Sequence, residues 1–254
     1  IISYIKFLIR ANNKHGIHSH FVFEFTTNCL NRKTNSHIKT SYTAIKNQLL
    51  QSTKTIEVDD FGAGSRVFRN KTRSVRQITK VAGINNRKAF LMNRIVSYFK
   101  PLNVLELGTS VGLSAVSMAL GNDTTKITTI EGCRQTAGVA AALFKENGLN
   151  TITSVVGKFD DVLPALLSNN KFDLVYIDGN HQKEATWNYF EQLLPSMSDN
   201  SVLIFDDINW SREMQDVWNA IKDHDRVTLS IDTFFWGMVF FEKKLVKQHF
   251  KIKV

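Results

Sequence analysis

Acidic side chains follow two short apolar runs in the second half of the chain, where they could bind a cation or move a proton. Asp178 follows one run, and His181 comes three residues later. Asp206 and Asp207 follow the other run. Carboxylate oxygens are the ligands that Mg²⁺ and Ca²⁺ prefer, and an imidazole can take a proton from a hydroxyl group near neutral pH. Metal binding and proton transfer are therefore both open to these residues.

A turn containing two glycines lies earlier in the chain, between an apolar run and a helical pattern. Gly108 and Gly112 let the backbone turn sharply and let a ligand approach it closely. A dinucleotide fingerprint would need a further glycine at the position of Ser110, which disfavours a nicotinamide cofactor. Glu131 ends the next apolar run, 23 residues after Gly108, and could accept hydrogen bonds from both hydroxyls of a ribose. These features together predict a nucleoside site.

Alternating strands and helices are predicted from residue 103 onward. The strands are predicted at 103–107, 126–130, 151–156, 172–177, 201–205, 226–231 and 237–241, with helices at 114–120, 134–147, 161–168, 183–194 and 214–222 between the first six. This order predicts a doubly wound, mostly parallel sheet of seven strands, whose last two strands form an antiparallel hairpin at the edge. Ligands of such sheets bind beyond the carboxyl ends of the strands, where all the residues above fall.

Residues 1–85 do not show this alternation of strands and helices. They predict a cap of helical and irregular segments ahead of an α/β domain at 86–254. The cap contains three histidines between residues 15 and 20, whose spacing matches no zinc site. It also contains a glycine-rich stretch at 61–65, which no strand–helix unit follows. We therefore expect that stretch to be a connection, with closure over the site as the alternative.

The chain is basic, with a net charge of +9, and eight of its basic residues lie between residues 65 and 88 without any acidic one. Such a run could contact the phosphates of nucleic acid. Phe68 is the only aromatic residue among them, so a stacking platform for bases is not indicated. A solvated helix face, an acidic small substrate and RNA remain the alternatives, with nucleic acid not favoured.

Composition excludes two broad classes of protein. The chain has 43% apolar and 22% charged residues, which predicts a folded core rather than disorder. It lacks a run of ~18 apolar residues, so no membrane span is expected. The two cysteines predict no disulfide framework and favour a reducing, cytoplasmic location. The oligomeric state, a homodimer included, is left open.

The segment at 104–114, VLELGTSVGLS, resembles the first motif of class I S-adenosylmethionine-dependent methyltransferases. More narrowly, it resembles the catechol and caffeoyl-coenzyme A type of O-methyltransferase, over about residues 88–241. The resemblance implies a Rossmann-like fold and S-adenosylmethionine as the methyl donor. The cofactor-binding residues that it implies are Glu106, Gly108, Ser110, Gly112, Ser114, Glu131, Lys158, Phe159 and Asp178.

The same resemblance implies a divalent metal, Mg²⁺ or Ca²⁺, on Asp178, Asp206 and Asp207. The last of these positions is asparagine in the family pattern, so Asp207 would add a negative charge. His181 stands where the family has its catalytic lysine, and we predict it as the general base, with Asp178 beside it. A metal next to the acceptor hydroxyl would lower the hydroxyl pKa and orient it.

The expected function is therefore S-adenosylmethionine-dependent O-methylation of a small hydroxylated acceptor, assisted by a divalent metal. Trp210, just after the acidic pair, is the best candidate for a wall of the acceptor pocket. Two alternatives stay open: an RNA methyltransferase, and a nucleotide-binding protein that transfers no methyl group.

Overall fold

The first third of the chain forms helices and one short β-hairpin. The computed structural model describes residues 2–11, 18–59, 61, 70–244 and 246–254. Helices here begin at Ser19, Asn35 and Ser74, whose side-chain oxygens accept a first-turn backbone N–H and satisfy a donor that the helix start leaves unpaired. The elements are α1 (Ile2–Arg10), α2 (His20–Phe25) with a π-helical continuation (Thr26–Leu30), α3 (Ser36–Gln51), β1 (Thr55–Glu57), β2 (Thr72–Ser74) and α4 (Val75–Val81).

From residue 86 onward, helices and strands alternate around one sheet. The helices are α5 (Asn86–Phe99), α6 (Leu113–Ala119), α7 (Arg134–Glu146), α8 (Phe159–Asn169), α9 (Lys183–Leu193) and α10 (Arg212–Asp223). The strands are β3 (Asn103–Leu107), β4 (Lys126–Glu131), β5 (Ile152–Val156), β6 (Leu174–Ile177), β7 (Val202–Phe205), β8 (Leu229–Asp232), β9 (Gly237–Phe240) and β10 (Gln248–Lys251). Their order is β10-β8-β9-β7-β6-β3-β4-β5, and β9 runs antiparallel to both its neighbours.

The mostly parallel, doubly wound sheet confirms the predicted fold class, with one strand more than the seven expected. The additional strand, β10, pairs parallel with β8 and forms the edge of the sheet. The β8–β9 hairpin is antiparallel as predicted, but it lies inside the sheet, where every residue of β9 is buried. β10 was not predicted from the sequence, because three of its four residues are polar. The small β1–β2 hairpin was likewise predicted as irregular chain.

Two apolar clusters cover the two faces of the sheet. One contains Tyr176 together with cap residues such as Phe25, and the other contains Val175 and the apolar sides of α9 and α10. Successive side chains of a strand point to opposite faces. Glu106 is a direct cross-strand neighbour of Tyr176, so it lies on the face that the cap covers. No helix in the described part of the chain combines the length and apolarity that a membrane crossing requires.

Candidate active site

The predicted glycine turn joins β3 to α6 and has a backbone that glycine makes accessible. Gly108 and Gly112 have φ values of +106° and +89°, and Ser110 between them has +48°. A Cβ atom on Gly108 would lie 2.1 Å from the carbonyl oxygen of Asp178, at the end of the neighbouring strand. The turn therefore passes so close to the end of β6 that no side chain fits there.

Glu131, at the end of β4, ties this turn to the next strand. Its Oε2 accepts the backbone N–H of Ser110 at 2.8 Å, and its Oε1 accepts that of Cys133 at 3.0 Å. A carboxylate oxygen can accept more than one hydrogen bond. Glu131 is thus oriented by the backbone at the end of β4, beside the glycine turn.

Glu106 is a fully buried carboxyl group inside the sheet, one residue before the end of β3. Its Oε2 accepts the hydroxyl of Thr129 at 2.5 Å. Among the described residues, its Oε1 has no hydrogen-bond partner. Burial raises the pKa of Glu106 to about 7, against the effect of the nearby Ser114 and Thr129 hydroxyls, and the charge of Glu131 adds to the rise. A buried acceptor without a partner is costly, which indicates a place for a cationic donor.

Lys158 and Phe159 lie where the chain enters α8, shortly after the end of β5. The Phe159 ring packs on Gly179, because a Cβ added there would lie 2.7 Å from the ring. The Nζ of Lys158 lies 5.3 Å from the ring centre of Phe61 in the cap, and that ring covers Gly132. One residue of the predicted glycine-rich loop therefore borders the site, while residues 62–65 lie outside the described part of the chain.

Asp178, Asp206 and Asp207 come together beyond β6 and β7, as predicted from the sequence. The hydroxyl of the buried Tyr176 lies 2.6 Å from Asp206 Oδ2 and 3.1 Å from Asp178 Oδ2. Asp206 Oδ1 also accepts the backbone N–H of Asp207 at 2.6 Å. Tyr176 therefore bridges the two strand ends and holds the carboxylates in place.

Lys88, from α5, provides the positive charge in this acid cluster. Its Nζ lies 2.5 Å from Asp206 Oδ1 and 3.1 Å from Asp207 Oδ1. Burial opposes the charge of Lys88, but the carboxylates outweigh burial and raise its pKa above the ordinary value. Burial would also raise the pKa of Asp206, and the ammonium with its hydrogen bond reverses this and lowers it. The pKa of Asp178 is raised well above its usual range by burial and by the Asp206 charge.

His181 lies beside Asp178 on a strained stretch of backbone. Its Nε2 is 3.6 Å from Asp178 Oδ1, and its ring centre is 6.4 Å from that of Trp210. Asn180, His181 and Asp207 all have positive φ values, between 47° and 67°. Residues other than glycine hold this conformation at a cost of about 1–3 kcal/mol each, and such strain clusters at functional sites.

The donor set does not fit the predicted metal. Every oxygen of Asp206 already accepts a hydrogen bond from Lys88, the Asp207 backbone or Tyr176. In the described ranges, no group of three histidine, cysteine or acidic residues is arranged to hold a metal ion. The Lys88 ammonium lies against two of the three carboxylates that were predicted to hold the metal.

A narrow pocket opens beside Lys88 between the cap and the turn that follows β8. Its lining includes Tyr4 and Phe7 of α1, Arg87 and Lys88 of α5, and Phe235 and Trp236 of the turn. Trp236 is completely buried and packs edge-on against Tyr176. Trp210, predicted as a wall of the acceptor pocket, lies beside His181, with 42% of its surface exposed.

The structure thus gathers all the predicted cofactor and catalytic residues at one edge of the sheet, and adds two that were missed. Tyr176 looked like an ordinary core residue because it lies within an apolar run. Lys88 looked like the end of a solvated basic run, of which Arg66 and Arg69 lie outside the described residues. His15 lies outside them as well, and His18 and His20 are exposed at the start of α2.

Comparison with known proteins points to one family. The family model described as a methyltransferase domain matches residues 105–208. The O-methyltransferase hkm8 of Aspergillus hancockii is 28% identical over 128 residues, which cover 48% of this chain and 50% of that enzyme. The match therefore spans half the length of this curated relative.

Solved structures with the same fold include two methyltransferases bound to S-adenosylhomocysteine (SAH). PaMTH1 of Podospora anserina has a TM-score of 0.60 at 14% identity, covering 89% of this chain and 97% of that one. An O-methyltransferase of Bacillus cereus has a TM-score of 0.55 at 17% identity, covering 87% and 97%. The family match confirms the resemblance found in residues 104–114, and the chain shares its fold with these methyltransferases.

Proposed function

We propose that this chain transfers the methyl group of S-adenosylmethionine to a hydroxyl group of a small acceptor. The buried Glu106 carboxyl group carries the proposal, since its Oε1 has no hydrogen-bond partner among the described residues and lies beside a turn that excludes side chains. In the proposed complex, the amino group of the methionine part donates to this oxygen. Ser110, Gly112 and Ser114, in the turn and at the start of α6, are proposed to border the same part of the cofactor.

The nucleoside part of the cofactor would extend toward β4 and α8. Glu131 is held by two backbone N–H groups and is proposed to accept the ribose hydroxyls. Lys158 and Phe159 are proposed to border the adenine, together with Phe61 of the cap. This orientation directs the sulfonium group toward Asp178, where three carboxylates and one ammonium leave excess negative charge that favours a cationic cofactor.

The acceptor would bind in the aromatic pocket between cap and sheet. Tyr4, Phe7 and Phe235 supply apolar walls, and the cavity of about 30 Å³ between them must widen to admit an aromatic acceptor. His181, oriented by Asp178, is proposed to take the proton of the acceptor hydroxyl as its oxygen attacks the methyl carbon. We also propose that residues 1–85 form a cap domain that completes this pocket, and that the free, buried thiols of Cys29 and Cys133 reflect a cytoplasmic location.

Cofactor choice is the most direct test. SAH should raise the melting temperature of the chain and bind in calorimetry, while NAD⁺ should do neither. Incubation of the chain with S-adenosylmethionine and a panel of catechols and simple phenols should produce SAH at a measurable rate for some of them. Stabilisation by NAD⁺ without stabilisation by SAH would refute the methyltransferase proposal.

The alternative that RNA is the methyl acceptor can be tested separately. Phosphates would meet excess negative charge at Asp178, Asp206 and Asp207, and Lys88 is already paired with two of these acids. Mobility-shift titration against structured RNA should therefore detect no complex at physiological salt. Binding with a steep dependence on salt concentration would favour the RNA alternative.

The pH dependence of cofactor binding follows from Glu106. A cationic amino group favours the charged carboxylate, so the pKa of Glu106 in the complex must fall below the value of about 7 in the empty site. Between these two values the affinity rises with pH, by at most ~10-fold per unit, and above pH 7 it levels off. Calorimetry with SAH from about pH 5.5 to 7 checks this, because an amino group with a pKa of about 7.7 or higher stays mostly protonated there.

Glu106→Gln should weaken SAH binding and remove this pH dependence. The exposed Glu146, at the end of α7, provides a matched control, since Glu146→Gln should leave both unchanged. A Glu106→Gln variant that binds SAH with wild-type affinity and pH dependence would show that the amino group binds elsewhere.

A further inference from the structure

Helix α5 places the Lys88 ammonium beside the acid cluster of Asp178, Asp206 and Asp207. Lys88 is the third residue of α5, and its backbone N–H donates to the N-cap Asn85 at 3.0 Å, which defines where this helix begins. Its Nζ contacts one oxygen each of Asp206 and Asp207. The side chain is 16% exposed, so solvent and salt screen these contacts little.

A metal could not join these carboxylates without displacing the ammonium. Asp206 has three hydrogen-bond donors on its two oxygens, and Asp207 shares the same ammonium. If a divalent ion displaced Lys88 from both, a buried lysine would remain beside a doubly charged cation. Like charges at such short separation in a poorly hydrated site repel strongly. The ammonium and a metal therefore exclude one another.

The ammonium also has a proton available for a substrate. Two of its three N–H groups point to Asp206 and Asp207, and within the described ranges no third acceptor contacts it. Its Nζ lies 5.5 Å from the ring centre of Phe235, which is a wall of the aromatic pocket. The remaining N–H is thus at the boundary between acid cluster and pocket.

We propose that the Lys88 ammonium replaces the divalent metal at the acceptor site. It holds Asp206 and Asp207, and its third N–H donates to the hydroxyl oxygen of the methyl acceptor. The acceptor part of this inference rests on the proposed function, whereas the replacement of the metal does not. In the reaction, the hydroxyl proton passes to His181, the oxygen bonds to the methyl carbon, and the carbon–sulfur bond breaks with its electron pair returning to sulfur. Lys88 stays protonated and stabilises the developing negative charge on the oxygen.

Binding of Mn²⁺ can be measured through the electron paramagnetic resonance signal of the unbound ion. This measurement tests whether Lys88 replaces the metal, and it needs no methyl acceptor. The wild-type chain should leave millimolar Mn²⁺ unbound. Lys88→Met leaves three carboxylates without a counter-ion, and should bind Mn²⁺ at least about tenfold more tightly than wild type. Lys88→Arg keeps the charge and should behave like wild type. Arg87→Ala, which removes a cation from the same pocket but not from the acids, is the matched control and should also behave like wild type.

Several results would overturn the proposal. One is stoichiometric Mn²⁺ binding by the wild-type chain that is lost in Asp207→Asn. Another is loss of SAH release on treatment with chelator and its return with Mg²⁺. Gain of Mn²⁺ binding in Arg87→Ala would count equally, and a Lys88→Met variant that fails to fold leaves the wild-type and Lys88→Arg results to decide. If the wild-type chain binds neither Mn²⁺ nor SAH, the proposed function is refuted, but the proposal that Lys88 replaces the metal still holds.

Discussion

Gly108→Ala is expected to lower the free energy of unfolding by about 3–5 kcal/mol and to abolish SAH binding in any chain that still folds. A non-glycine residue in the left-handed region costs ~1–2 kcal/mol, and Gly108 has a φ of +106°. The added methyl group would also lie 2.1 Å from the carbonyl oxygen of Asp178. That oxygen belongs to the backbone and cannot rotate away, so the end of β3 or of β6 must move.

Chemical denaturation and SAH calorimetry measure the two consequences of this movement. Displacing the end of β3 shifts Glu106, and displacing the end of β6 shifts Asp178, so stability and cofactor binding should fall together. Gly138→Ala is the matched control: Gly138 lies in the exposed middle of α7, and no described atom would be within 4 Å of its Cβ. That change should stabilise the chain by ~0.5–1 kcal/mol and leave binding unaltered. Normal SAH affinity in Gly108→Ala would mean that the turn is not where the cofactor binds.

Local sequence patterns were sufficient for β3, β6 and β7, because these strands are buried on both faces and form short apolar runs between helices. The carboxyl ends of such strands meet at one edge, so Asp178, Asp206 and Glu131 could be placed together without a structure. β10 could not be predicted in this way. Its pairing with β8 is set by the tertiary structure, and its residues show no apolar alternation.

The role of Lys88 lay beyond the sequence for a different reason. It is separated from Asp206 by 118 residues and belongs to a stretch whose basic character suggested a solvated face. Only the packing of α5 against the sheet shows that the last lysine of this run points to the acids. The same packing changes the interpretation of the acids themselves, from metal ligands to partners of a lysine. A residue type and its spacing predict which ions could bind, but the neighbours contributed by another element decide which one does.

His181→Ala is expected to lower kcat by about a hundredfold to ten-thousandfold, the usual contribution of a general base. Among the described residues, no hydrogen bond or ion pair joins this side chain to the glycine turn at 108–112, so the dissociation constant for SAH should stay unchanged. Asp178 lies 3.6 Å from the His181 ring and is proposed to orient it. The rate of SAH release with the best phenolic acceptor, measured beside calorimetry with SAH, separates catalysis from binding. His37→Ala, at an exposed histidine of α3, should change neither quantity.

If His181 acts as a base, we expect two further results that a merely structural histidine would not give. Imidazole added to the buffer should restore part of the activity of His181→Ala, because a small base can enter the space that the side chain vacates. Asp178→Asn should also be slow, and the double variant should be little slower than His181→Ala alone, since residues that act as a unit have non-additive effects. Full activity in His181→Ala would show that another group takes the proton. Additive losses without rescue would indicate that Asp178 and His181 act separately, with Asp178 serving the cofactor rather than the base.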